Sequence, residues 1–275
     1  MNTQTSYQQL VQQINQQVEE LAQQTDQARM SAEMLRYLDA FSRFHRYSLY
    51  NTWLILMNRP GATHVAGFRQ WNSFNRFVRK GESGIPILAP IWVKQEAEDK
   101  EDVRLALRGF KVVYVFDISQ TDGEPLPDPP DWKKPEKNAF LNDRLMSFVK
   151  EKGITITEKV LEGETQGISM GGSIEIAPSA GTSTLIHEIA HEIMLHHDSE
   201  LPTSIKELEA ESTAFVVCRH FGLQSKCSPN YIALHGATSE MIMEHLERIR
   251  VSVMEVIQYV ERAETVSLPR KEIQQ

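Results

Sequence analysis

The 275-residue sequence predicts an α+β protein of two domains, and three observations support this class. The length suits two domains of about 100–200 residues each. Residues 121–137 carry five prolines and almost no apolar side chains, which is typical of a stiff, extended linker. Patterns of helices and of strands occur on both sides of this stretch. We therefore predict one domain over 1–122, a Pro-rich linker over 123–137 and a second domain over 138–275.

The first domain begins with a Gln-rich segment, 1–28, in which apolar residues recur at helical spacing and predict a helical extension. A second helix is predicted over 31–57, ended by Pro60 and Gly61. Runs rich in β-branched and aromatic residues predict strands over the ranges 65–71, 85–94 and 105–116. This order of elements makes the first domain α+β.

The second domain shows the same mixture. Helices are predicted over 138–150, 182–196, 202–221 and 239–263. Strands are predicted over 154–160 and 167–176, the latter as a strand or a hairpin. Its last part, 171–176, is a candidate edge strand for binding an extended peptide, with a plain structural strand as the alternative.

The composition excludes several classes of protein. With 41% hydrophobic and 24% charged residues, the chain is neither collagen-like, disordered nor a coiled coil. It has no apolar run of about 18 residues, and its Gln-rich start lacks the apolar region of a secretory signal. Cys218 and Cys227 are the only cysteines, so a disulfide framework is excluded. These features predict a cytoplasmic protein without membrane contact.

Charge is distributed unevenly along the chain. The net charge is −8, yet residues 40–81 contain seven cations and no Asp or Glu, so the remainder carries −15. Such segregation favours a polyanion-binding surface, whereas a merely solvated Arg-rich face is the alternative.

Aromatic side chains are interleaved with these cations. Cations that follow phosphates and rings that stack on unpaired bases are the composition of a single-strand binder. Most rings between Phe41 and Trp53 are expected in the core, while Tyr50, Trp71 and Phe74 are the candidate stacking platforms. The predicted partner is therefore a single-stranded nucleic acid. The candidate cations are Arg43, Arg46, Arg69, Arg76, Arg79 and Lys80.

The second domain carries the motif His187-Glu188-Ile189-Ala190-His191. On a helix, residues i and i+4 share a face, so the two imidazoles can bind one Zn²⁺. Glu188 can then take a proton from zinc-bound water and act as general base. The alternative is a pair of ordinary core histidines.

Three residues compete for the third ligand. His197 has metzincin spacing, but Met194 stands where that geometry needs Gly. We favour Glu207, which shares a helix face with Glu211, so that Glu211 accepts the N–H of a ligating histidine. If Glu207 instead closes a capping box with Ser204, Glu211 becomes the candidate ligand. The predicted chemistry is zinc-assisted amide hydrolysis, with one zinc per chain and an unknown protein substrate.

Several motifs together resemble the ArdC-type antirestriction proteins. They are Tyr47-Ser48-Leu49-Tyr50-Asn51, Gly67-Phe68-Arg69-Gln70-Trp71, Arg79-Lys80-Gly81-Glu82-Ser83-Gly84, the segment 115–123 and Thr184-Leu185-Ile186-His187-Glu188-Ile189-Ala190-His191-Glu192, followed by 207–211. The resemblance covers about residues 30–265 and leaves out the Gln-rich start. It implies an N-terminal single-stranded-DNA-binding domain and a C-terminal zincin-like metallopeptidase domain of gluzincin type. Asn51 lies in the first motif and joins the candidate DNA-binding residues.

The resemblance leaves three hypotheses. The first is a single-stranded-DNA-binding zinc metallopeptidase of antirestriction type. The second is a non-proteolytic protein that binds and protects single-stranded DNA and keeps a structural or vestigial metal site. The third is a regulatory peptidase that cleaves a transcriptional repressor, as ImmA/IrrE-like enzymes are thought to do, and that needs no DNA affinity.

Overall fold

The computed structural model describes residues 6–24, 27–96, 103–126, 135–225, 229, 231–234 and 236–267. The chain forms two compact units. The N-terminal unit comprises Met1–Leu21 with Tyr47–Pro127, and the C-terminal unit comprises Ala22–Arg46 with Asp128–Gln275. Each unit contains helices and strands, which confirms the α+β class.

The N-terminal unit contains three helices and five strands within the described residues. They are α1 (Tyr7–Ala22), α3 (Leu49–Asn58), β1 (Val65–Gly67), α4 (Phe68–Ser73), β2 (Arg76–Val78), β3 (Ile85–Glu96), β4 (Val103–Asp117) and β5 (Thr121–Gly123). The long strands β3 and β4 pair antiparallel, β1 pairs with the other edge of β4, and β2 pairs with β5. α1 buries the apolar stripe that the sequence predicts, which consists of Leu10, Ile14, Val18 and Leu21.

Two predicted elements of this unit have different limits in the structure. The helix predicted over 31–57 is interrupted, because Ser48 caps a new helix by accepting a hydrogen bond from the Asn51 N–H. The strand predicted over 65–71 ends at Gly67, where α4 begins. On α4 the Trp71 indole N–H donates to the Phe116 carbonyl over 2.8 Å, which places this ring in the core.

The described part of the C-terminal unit contains five helices and three strands. They are α2 (Gln27–Phe44), α5 (Pro135–Glu151), β6 (Thr155–Glu158), β7 (Gly167–Ser169), β8 (Ser173–Ile176), α6 (Thr182–Ile193), α7 (Thr203–His220) and α8 (Ser239–Ser267). β8 is the central strand, parallel to β6 and antiparallel to β7. α6 packs against β7 on one side and α7 on the other, and α7 also packs against α8. The segment 171–176 therefore includes the central strand, and β7 forms the sheet edge beside α6.

The structural units divide the chain differently from the predicted domains at residues 22–46. α2 packs against α7, with Met34, Tyr37, Leu38 and Phe41 buried, so it is part of the C-terminal unit. The linker predicted over 123–137 lies largely outside the described residues, as do the first residues of the Gln-rich segment.

Two further predictions concern the membrane and the cysteines. None of the described helices is both long and apolar enough to cross a bilayer. Cys218 is a buried cysteine on α7 that forms no disulfide within the described residues, and Cys227 lies outside them.

Candidate functional site

α6 brings the two motif histidines together. His187 and His191 are one turn apart, and their Nε2 atoms lie 3.1 Å from each other. α6 begins after Gly181, whose backbone is extended. The helix is held in place because its apolar side chains Leu185, Ile186 and Ile189 are buried. The i, i+4 spacing thus gives the geometry that the sequence predicts.

Glu207 on α7 faces this pair. Its carboxylate oxygens lie 3.4 Å from His187 Nε2 and 3.5 Å from His191 Nε2. Hydrogen bonds from His187 and His191 hold the pKa of Glu207 well below its usual range. The three donor atoms lie within 4.8 Å of one another, so this set could hold a metal ion.

The alternatives for the third ligand have other positions. Helix α7 begins after Pro202 with no side-chain cap, so Ser204 and Glu207 form no capping box. His197 is not one of the clustered donors, and its Nε2 lies 3.1 Å from Ser169 Oγ. Glu211 is half-buried on α7 and is not one of the clustered donors.

Glu188 is buried beside the cluster, and β7 covers it closely. A Cβ added to Gly167 would lie 2.7 Å from Glu188 Cγ, so only glycine permits this approach of the strand. Burial raises the pKa of Glu188, although the charges of His187 and His191 and a hydrogen bond from the Ser169 N–H act in the opposite direction. A carboxylate with a raised pKa is a better proton acceptor.

His191 has an outer partner that the sequence analysis missed. Its Nδ1 lies 2.8 Å from His196 Nδ1, and His196 Nε2 lies 2.9 Å from Glu209. His196 reaches back because Leu195 adopts a left-handed conformation with φ of 55°, which reverses the chain directly after α6. A Gly-free turn of this kind gives little signal in a sequence.

Glu209 is the centre of a buried charge cluster. Besides His196 it accepts hydrogen bonds from His245 and Arg248, both over 2.8 Å, and it is 0% exposed. Burial alone would raise the pKa of Glu209, but these hydrogen bonds outweigh it and hold the pKa well below its usual range. Glu211 was predicted to accept the N–H of a ligating histidine. For His191, the outer contact is made by His196, which in turn contacts Glu209. For His187, the contact with Glu211 stays a prediction.

Glu192 fixes the β7–β8 hairpin to α6. Its carboxylate accepts hydrogen bonds from Ser169 Oγ and from the backbone N–H groups of Met170, Gly171 and Gly172, at 2.6–3.0 Å. Because Glu192 and Glu188 lie on the same helix, this anchor also sets the distance between β7 and Glu188. The sequence analysis quoted Glu192 in a motif but gave it no role.

The clustered donors and Glu188 line one cleft of the C-terminal unit, which has a volume of about 470 Å³. Its walls come from β7, α6 and the start of α7, and the side chains that carry the chemistry are His187, Glu188, His191 and Glu207. Lys206 and Thr203 stand at the same wall as Glu207. The cleft can admit a polar substrate to the clustered donors and to the Glu188 carboxylate.

Three of the predicted DNA-binding residues are buried in the N-terminal unit and have structural roles there. Trp71 is buried, and Asn51 exchanges two hydrogen bonds with the backbone of Leu88, at 2.9 and 2.8 Å. Arg76 is buried and bonded to Thr121, to the Gly123 carbonyl and to the Glu124 carbonyl. The prediction that these three residues contact DNA is therefore corrected, because the polar groups of their side chains are hydrogen-bonded within the fold.

The other candidates divide between the units. Arg43 and Arg46 belong to the C-terminal unit and pair with Asp39 and Glu261 respectively. Tyr50 is half-buried on α3. Arg79 is exposed and pairs with Glu82 and Asp122.

Residues 68–80 of the N-terminal unit form what we call the 68–80 surface. Arg69 and Lys80 are exposed cations there. Three rings are also exposed, namely Phe68, Phe74 and Phe77. Of these three rings, only Phe74 is among the stacking platforms that the sequence predicts. Exposed rings beside exposed cations are the combination that a single strand requires.

Comparison with known proteins gives matches in both sequence and structure. Residues 4–116 match the family described as the N-terminal domain of anti-restriction factor ArdC. The uncharacterized protein pXO2-81 of Bacillus anthracis is 26% identical over an alignment 254 residues long, and the match covers 73% of this chain and 42% of that protein. This chain thus spans about two fifths of the length of that curated relative.

Two solved structures are similar at lower identity. The metal-free antirestriction ArdC protein of plasmid R388 is 18% identical, with a TM-score of 0.45, over 78% of this chain and 84% of that one. Its Mn(II)-bound form is 17% identical, with a TM-score of 0.45, over 82% of this chain and 97% of that one.

The family match begins at residue 4, so it includes most of the Gln-rich segment that the sequence analysis left outside the resemblance. The reason lies in α1, whose apolar stripe is buried within the N-terminal unit. Over residues 4–116, this chain is similar to the N-terminal domain of the ArdC-type antirestriction proteins.

Proposed function

We propose that this chain is a metallopeptidase that also binds single-stranded DNA, with a zincin-like C-terminal unit. The observation that carries the peptidase proposal is the convergence of His187, His191 and Glu207 in one cleft with the buried Glu188. Two imidazoles and one carboxylate are a donor set typical of catalytic zinc, so Zn²⁺ is the proposed cofactor.

The residues of the cleft have separate roles in this proposal. A zinc ion held there supplies Lewis acidity toward the scissile carbonyl and lowers the pKa of a water ligand. Glu188 takes the proton from the attacking water at its carboxylate and delivers it to the leaving nitrogen. The Ser169 N–H and the close wall of Gly167 keep that carboxylate in place. β7, as the sheet edge on the cleft, offers backbone groups to an extended peptide substrate.

The metal site is tested by metal content after dialysis against a weak chelator. His191→Ala removes one of three ligands, and we expect about a thousand-fold weaker binding of one zinc equivalent. His197→Ala is the matched control, because this histidine lines the same cleft outside the cluster. Elemental analysis that finds unchanged zinc in His191→Ala, or an equal loss in His197→Ala, would contradict the assignment.

DNA binding is assigned to the N-terminal unit, because the 68–80 surface combines exposed rings with exposed cations. Arg69→Ala with Lys80→Ala removes two phosphate contacts. Each contact to a single strand contributes about 0.7 to the slope of log K against log salt, so the slope should fall by about 1.4. Fluorescence titration with a labelled oligonucleotide at several salt concentrations measures this slope.

The control for this experiment removes two exposed cations of the C-terminal unit, by Lys150→Ala with Lys159→Ala. Net charge changes equally in both double variants, and only the 68–80 variant should lose slope. Equal losses would indicate nonspecific attraction by total charge. An unchanged slope in both would remove the 68–80 surface from the DNA contact.

A further inference from the structure

A second cluster of metal-binding side chains lies in the C-terminal unit. It consists of His45, directly after α2, His220, the last residue of α7, and Glu261 on α8. One ligand atom of each lies within 4.8 Å of the others. Two ligands bound at 2.0–2.1 Å to a tetrahedral zinc are about 3.3 Å apart, so small side-chain rotations suffice.

His220 is oriented in the manner of a ligating histidine. Its Nδ1 donates to the Ser42 carbonyl over 3.0 Å, which fixes the ring and leaves Nε2 facing Glu261 Oε1 at 3.1 Å. A backbone carbonyl that holds the outer nitrogen is the usual outer contact of a metal-bound imidazole. The other carboxylate oxygen of Glu261 pairs with Arg46 over 2.8 Å, which steadies this ligand.

His45 is the observation that an ion-pair network does not explain. It is only 5% exposed, and its ring lies edge-on to that of His220, with centroids 4.5 Å apart. The Ser42 carbonyl accepts a hydrogen bond from His220. It also lies near the His45 ring, but neither ring nitrogen of His45 makes a hydrogen bond of normal geometry within the described residues. A buried imidazole without a partner costs free energy unless something binds it.

We propose that His45, His220 and Glu261 form a second divalent-metal site, for Zn²⁺ or a similar transition ion. Two imidazoles and a carboxylate suit such ions better than Mg²⁺ or Ca²⁺, which prefer oxygen ligands. The site joins the C-terminal ends of α2 and α7 to α8, and these three helices are far apart in the sequence. Binding therefore stabilises the C-terminal unit and involves no group of the catalytic cleft.

The test uses the full chain with the cleft ligands removed, as His187→Ala with His191→Ala. This background should retain one zinc per chain, and zinc should raise its melting temperature. Adding His45→Phe, which keeps a flat buried ring, should weaken zinc binding at least 100-fold and abolish the shift in melting temperature. His64→Phe, at an exposed histidine of the N-terminal unit, is the matched control and should change neither quantity.

Glu261→Gln in the otherwise unchanged chain provides an independent variant, and it should lower the zinc content from two equivalents to one. A background variant that folds but retains no zinc would overturn the proposal, as would His45→Phe that binds zinc as tightly as its background. The first of these results leaves the cleft site untouched, and loss of zinc at the cleft alone leaves this second site intact, so the two assignments fail separately.

Discussion

Glu188→Gln is expected to reduce peptide hydrolysis by about 10²–10⁴-fold, the range that a general base contributes. The amide has nearly the shape of the carboxylate, so it keeps the packing against Gly167. It cannot accept a proton, however, and the attacking water then has no base within the cleft at the same position. Zinc content should be unchanged, because Glu188 is not one of the clustered donors.

The measurement compares cleavage of a fluorescently quenched casein and of a peptide library, each with zinc present and with or without single-stranded DNA. Glu175→Gln is the control carboxylate, since Glu175 on β8 pairs with Lys159 outside the cleft. Equal activity of Glu188→Gln and the unchanged chain would exclude the general-base role. If the zinc-loaded chain cleaves neither substrate but still binds DNA, the result would favour the non-proteolytic alternative.

The meeting of His187 and His191 could be predicted from the sequence because its geometry is local. His187 and His191 need only one helical turn to meet, and a strongly amphipathic helix makes that turn certain. Glu207 required one long-range assumption, that α7 packs beside α6, and the structure brings its carboxylate within 3.5 Å of both rings. Its role as a metal ligand stays a prediction.

The outer contacts could not be predicted in the same way. The link from His191 to Glu209 passes through His196, which depends on a single left-handed residue, Leu195. Leucine gives no signal for that conformation, since Gly and Asn are the usual occupants. The helical wheel of α7 does separate Glu209 from Glu207, but the partners of Glu209 come from α8 and from beyond the end of α6.

Residues 40–81, which contain no Asp or Glu, show why composition does not identify a surface. Buried and exposed groups alternate there over distances too short for a clear period, since β1, α4 and β2 have three, six and three residues. Trp71 and Arg76 have the residue types of a DNA contact but serve the core, while Phe77 and Lys80 nearby are exposed. The charge imbalance was informative about the segment, and only tertiary structure separates its two faces.

Glu209→Ala is expected to destabilise the C-terminal unit by about 3–5 kcal/mol, the cost of removing one partner from a buried charge cluster. The buried His196 and His245 would lose this acceptor, and Arg248 would lose one of its two acceptors. Urea denaturation, followed by the far-ultraviolet signal, measures the free energy of unfolding. A loss below about 1 kcal/mol would mean that solvent or another acceptor replaces the carboxylate.

Glu209→Gln separates the positioning of His191 from stability. The amide fills the same space but is a weaker acceptor for His196, so His191 is held less firmly toward Glu207. Zinc affinity should fall by about 10–100-fold under conditions where the variant remains folded.

Glu211→Gln, one half-turn further along α7, is the matched control, since the sequence predicts this role for Glu211. A larger loss in Glu211→Gln than in Glu209→Gln would restore the sequence-based assignment. ¹⁵N chemical shifts of the histidine rings would show directly whether the tautomer of His191 depends on Glu209, because a purely structural carboxylate would leave them unchanged in the folded protein.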